Sequence, residues 1–124
     1  MKTAISIDEN KGRVLSTALA RIADNWRFTN DQLGAVLGLS PATASRLRAG
    51  AFQVGPDSKP FELGQYLLRL FRALDALMGS DDEAAISWLR TSNLDLAGRP
   101  LDLIRTVRGL SEVANYVDDF RARV

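Results

Sequence analysis

Cysteine and histidine are both absent from the 124 residues of this chain. Disulfides, thiolate nucleophiles, imidazole acid–base chemistry and the common zinc ligand sets are therefore excluded. No apolar run approaches the roughly 18 residues that a membrane-crossing helix requires. The opening MKTAISIDENKGR carries no signal-like apolar stretch, so a cytoplasmic protein with no membrane partner is expected. A surplus of either charge is lacking, with 16 Lys plus Arg against 15 Asp plus Glu. Divided along the chain, residues 1–55 hold seven basic and four acidic side chains and residues 56–124 hold nine and eleven. The small basic surplus of the first half has the sign of a nucleic-acid-facing segment but decides nothing alone. This length supports one domain or two small ones sharing a core, and a large multi-domain enzyme is excluded. There is no glycine-rich phosphate loop. Asp81, Asp82 and Glu83 adjoin one another where a helix is expected to begin, and the helix dipole explains them there without a metal. No enzymatic activity, cofactor or metal is expected.

What is present begins with TNDQLGAVLGLSPATASRLRAG, residues 29–50. Thr29 is suited to cap a helix, and Gln32 three residues on completes a capping box. Leu33, Leu37 and Leu39 form the buried side of that helix. Gly34 falls where a second helix must cross closely, and Gly38 where the chain turns with positive φ. Ser40 caps the second helix, and Pro41 occupies its first turn, where the missing N–H costs nothing. Ala44 and Leu47 face inward. Ala42, Thr43, Ser45, Arg46 and Arg48 remain outside, a small, polar and cationic surface that a major groove admits. The pattern is that of a helix-turn-helix; a helical hairpin inside an ordinary bundle is the alternative. Arg46 is the best candidate for a base contact. Ser40, Thr43, Ser45 and Arg48 suit phosphate or sugar, with plain solubility the alternative for Arg48.

An all-α fold of six or seven helices follows from the rest: an N-terminal helix-turn-helix bundle, residues 1–55, and a small C-terminal helical domain, residues 56–124. Residues 1–10 read as a lead-in. Val14, Leu15, Ala18, Leu19, Ile22, Ala23 and Trp26 form one face of a helix over 12–26. Residues 51–60 are a loop broken by Gly55-Pro56. Over 61–78, Leu63, Leu67, Leu70, Leu74 and Leu77 make a stripe that Phe61, Tyr66, Phe71 and Met78 widen, enough for a dimer contact or for a thicker core. Ser80 is read as the cap of the next helix, which turns Ala85, Ile86 and Leu89 inward with Trp88 beside them. Pro100 opens a helix through Val107, and a last helix runs over 110–121.

The 29–50 segment resembles the helix-turn-helix of the Xre and lambda-repressor class, in which Gln32, Ser40, Pro41, Ala42, Thr43, Ser45 and Arg46 would face DNA. The run WLRTSNLDLAGRPLDLIRTVRGLSEVANYVDDF, residues 88–120, resembles the C-terminal domain of Xre/MbcA/ParS-type antitoxins. Its landmarks are Trp88-Leu89, Asn93-Leu94, Gly98 and Arg99 before Pro100, Leu101-Asp102-Leu103-Ile104, Thr106 and Gly109. The resemblance implies a homodimeric antitoxin that binds a RES-domain toxin, an enzyme class that destroys NAD, and represses its own operon by binding double-stranded operator DNA. It further implies that the C-terminal region blocks the toxin's NAD entrance. Tyr116 and Phe120 would anchor there by burial, Asp118, Asp119 and the carboxylate of Val124 would enter a phosphate pocket, and Arg121 and Arg123 would lie against the toxin. A solvated tail is the alternative for those last residues, and a stand-alone dimeric repressor the alternative for the whole chain.

Overall fold

The computed structural model describes residues 2–123, with side chains from residue 10 onward. Among the described residues seven helices follow one another: α1 Lys2–Asn25, α2 Asn30–Leu37, α3 Pro41–Arg48, α4 Lys59–Leu77, α5 Asp82–Arg90, α6 Pro100–Leu103 and α7 Val107–Ala122. There is no strand among the described residues, and a single antiparallel bridge joins Asn93 to Gly98. The fold is all-helical, as the periodicity indicates.

Side-chain caps begin most of these helices. The Thr29 hydroxyl accepts from the Gln32 amide at 3.0 Å while the Gln32 side-chain oxygen accepts from the Thr29 amide at 2.8 Å. Ser40, Ser58, Asp81 and Thr106 each accept from the amide three residues on. Left-handed residues follow four of the helices: Arg27 after α1, Gly38 after α2, Gly50 after α3, and Gly79 and Ser80 after α4. Arg27 takes this position without being glycine. Phe28 N–H reaches back to Ala23 O at 2.8 Å and Arg27 N–H to Asp24 O at 3.2 Å, a Schellman closure that holds the strained residue in place.

α4 is the axis of the molecule. Leu63, Leu67, Leu70, Ala73 and Leu74 are buried along it, and it packs against α1 and α2 on one side and α7 on the other. Trp26 fills the space beneath α1, edge-on to Phe28 at 5.9 Å and tilted against Phe71 at 5.1 Å. The loop before α4 is tied down by buried Val54, whose amide donates to the buried Ser16 hydroxyl at 2.9 Å. One connected apolar cluster reaches from Leu15 to Val117, so both halves share a core.

Local readings need correction in several places. α1 begins at Lys2, so residues 2–10 are helical and not a lead-in. Val14 is 63% exposed, because α1 turns its Leu15, Leu19 and Ile22 stripe to α4 and leaves Val14 at the edge. Asp81, not Ser80, caps α5; Ser80 has φ +62 and its hydroxyl donates to Asp75 at 3.0 Å. The helix opened by Pro100 ends at Leu103, since Thr106 caps a new helix that starts at Val107, three residues ahead of the expected start. Among the residues widening the α4 stripe, Phe61, Tyr66, Phe71 and Met78 are each half-buried at the core's rim.

Candidate functional site

Two surfaces stand out. The first is α2–α3. Gly34 brings the helices together: a methyl there would sit 3.2 Å from Ser40 O and 3.3 Å from the Leu39 carbonyl carbon, and closer still to the Leu39 oxygen. With Ala44 and Leu47 buried, α3 presents Pro41, Ala42, Ser45 and Arg46 to solvent, and Thr43 is half-buried. Ser40, Thr43 and Arg46 are linked along this face. The Ser40 hydroxyl donates to Thr43 Oγ1 at 3.0 Å, and Arg46 Nη2 donates to the same oxygen at 3.0 Å. The Arg46 guanidinium is thereby aimed by its own helix while staying exposed. Gln32 spends its oxygen on the capping box, which leaves its amide NH2 for an outside acceptor.

Arg48 departs from expectation. Its guanidinium donates to Phe28 O at 2.6 Å, to Asn30 Oδ1 at 3.2 Å and to Asp24 Oδ1 at 2.7 Å, and only 24% of the side chain is exposed. It is neither a solubility residue nor a free cation for phosphate. It ties the end of α3 to the α1–α2 turn, because Phe28 O has no helical partner at that turn.

The second surface is built from α4, α5 and α7. Leu74, Leu77, Met78, Trp88, Tyr116, Val117 and Phe120 line an open apolar cavity of about 320 Å³. Trp88 stacks on Tyr116 at 6.5 Å and 18°, and Tyr116 lies 6.3 Å from Phe120, which is 49% exposed. The Tyr116 hydroxyl donates to Asp95 Oδ2 at 2.9 Å. That carboxylate, and secondarily partial burial, hold the phenol above its ordinary range. Next to Asp95 is Leu94, 99% exposed at the tip of a turn. The turn is closed by Asn93 N–H to Gly98 O at 2.9 Å, Gly98 N–H to Asn93 O at 3.2 Å and Leu96 N–H to Asn93 Oδ1 at 3.1 Å. A large apolar side chain is thus held out on a hydrogen-bonded turn.

Asp118 does not belong to an outward-reaching tail: its carboxylate is ion-paired with Arg69 Nε of α4 at 3.0 Å. Asp119, Arg121 and Arg123 are exposed near the end of α7, and Val124 lies outside the described residues. Reading the sequence missed Trp88 and Leu94 as candidate contacts. The available signal was Leu94 itself, a leucine set between Asn93 and Asp95 in the loop after α5. Arg99 and Asp102 form a two-hydrogen-bond pair at 2.8 and 2.9 Å that holds the carboxyl below the usual range, and it braces the start of α6. No group of three or more potential metal-ligating side chains gathers among the described residues, and no helix described is long and apolar enough to cross a membrane.

With an exposed groove-sized helix and a separate aromatic patch, the chain has the build of a bifunctional DNA- and protein-binding module. Residues 7–72 match the antitoxin Xre-like helix-turn-helix domain, and residues 73–123 match the antitoxin Xre/MbcA/ParS C-terminal toxin-binding domain. The chain belongs to the Xre-like helix-turn-helix antitoxins, and it is not an enzyme. A comparison with curated proteins gave no match.

Proposed function

We propose that this antitoxin neutralises a RES-domain, NAD-degrading toxin and represses its own operon as a homodimer. Residues 1–55 read DNA in this account, and residues 56–124 dimerise and hold the toxin. A two-fold dimer offers two α3 helices to successive major grooves about 34 Å apart, with Arg46 on guanine O6 and N7 and Gln32, Ser40, Pro41, Ala42, Thr43 and Ser45 fitting the groove wall and backbone. The toxin is held by Leu94 and by the Trp88–Tyr116–Phe120 patch, with Asp119, Arg121, Arg123 and Val124 as further contacts. Asp118 is withdrawn from the contact set because Arg69 already occupies it.

The observation that carries this reading is the pairing in one chain of an exposed, internally aimed Arg46 with a preformed apolar patch inside the stretch matched to toxin binding. The test is co-expression with the RES-type product of an adjacent gene. Expected are co-purification, restored cellular NAD, and retardation of the operon's own promoter fragment. Deleting residues 121–124 tests the tail, and full neutralisation after that deletion removes it from the mechanism. Promoter binding without capture of any such toxin would leave a stand-alone repressor.

A further inference from the structure

We propose that Arg105, which lies in the toxin-binding half, is a phosphate-contacting residue of the DNA interface. This rests on the DNA-reading role of α3 given above. In a helix-turn-helix the second helix enters the groove and the first crosses the sugar–phosphate backbone. Here α2 is the first helix, and Arg48 bonded to Asn30 holds its opening turn beside the end of α3. Backbone flanking the occupied groove therefore passes over residues 29–32. Arg105, in the corner between α6 and α7, reaches that turn from the other half of the chain. Its two terminal nitrogens stand 3.4 and 3.5 Å from the same Asp31 oxygen.

Both distances are long for a charge-assisted hydrogen bond, and both partners are substantially exposed. The pair is a loose ion pair of the kind that contributes little to folding. A phosphate oxygen arriving at the α2 turn meets the guanidinium at hydrogen-bonding range and the Asp31 carboxylate as a repelling neighbour. Arg105 supplies the cation that Arg48, committed to its internal bonds, does not. The toxin-binding half thus owns part of the DNA footprint.

The full-length protein, its R105Q variant and its D31N variant are to be titrated with a duplex of the operon's own promoter and with an unrelated duplex, over a series of salt concentrations. Thermal unfolding establishes that each variant is folded. R105Q is expected to weaken binding to both duplexes alike and to flatten the slope of log K against log salt by about 0.9 per bound chain, one phosphate contact. D31N is expected to tighten binding to both duplexes, since it removes a negative charge from the backbone's path and releases Arg105. The opposite signs separate a phosphate contact from a strut, because breaking a strut from either side would weaken binding. An unchanged slope in R105Q, or a D31N that fails to tighten, overturns the inference while the α3 reading stands. A wild-type protein that retards neither duplex overturns both.

Discussion

Replacing Gly34 by alanine tests the crossing on which the helix-turn-helix depends. The new methyl would lie 3.2 Å from Ser40 O, 3.3 Å from the Leu39 carbonyl carbon and nearer still to the Leu39 oxygen. All three atoms are backbone, so no rotamer change relieves the overlap and α2 and α3 must separate. Overpacking of this kind costs about 1–3 kcal/mol. At roughly 3–5 °C per kcal/mol for a chain of this length, Tm is expected to fall by about 3–15 °C. Two comparators isolate the cause. Gly50 is left-handed, at φ +79, with open space around it, so Gly50→Ala carries only the conformational cost of about 1–2 kcal/mol. Gly55 has Ser58 atoms no nearer than 3.9 Å and no positive φ, so Gly55→Ala should melt with the wild type. Thermal unfolding followed by far-UV circular dichroism reads all three, and gel retardation reads the consequence, since a displaced α3 no longer fits the groove. A Gly34→Ala protein that melts with the wild type and binds promoter DNA undiminished would refute the close-crossing argument.

Arg46 and Arg48 should separate in opposite ways. Arg46→Ala is expected to leave Tm within about 2 °C and to lose roughly 1–3 kcal/mol of sequence discrimination in gel retardation. Arg48→Ala is expected to cost roughly 1.5–3 kcal/mol of stability by denaturant unfolding, since it leaves Phe28 O and Asn30 without their donor. In a Tyr66→Phe background, spectrophotometric titration should find Tyr116 ionising above the ordinary value of 10.0, with Asp95→Asn bringing the midpoint down. Because the folded value is raised, this hydrogen bond supports the fold below pH 10 and is lost as pH rises through the folded midpoint. Leu94→Asp should leave Tm unchanged, because the side chain touches almost nothing, yet abolish toxin capture in co-purification.

Legibility followed locality. Caps at Thr29 and Ser40 and the turn at Gly38 depend on residues at most five apart, and the expected α2 and α3 with buried Leu33, Leu37, Ala44 and Leu47 agree with the structure, whereas Leu39 is half-buried in the turn. Ser80 failed as a cap because Asp81 beside it has an equally good acceptor, and only the left-handed backbone at Ser80 decides between them. Arg48 was misread for a different reason. Its partners, Asp24 and Phe28, lie 24 and 20 residues away, so an arginine on an outward helical position looks free until the α1–α2 turn is seen beneath it. The Trp88–Tyr116 stack and the Arg105–Asp31 pair are likewise products of tertiary closure and leave no trace in spacing.

The two family matches meet between residues 72 and 73, in the interior of α4. No hinge separates the parts, since that uninterrupted helix runs through the seam with buried leucines on either side of it. Gene shuffling or chimera building that cut there would sever a helix and leave two fragments each missing a wall of its own interior. Such antitoxins are expected to trade specificity through surface side chains rather than by exchanging whole modules.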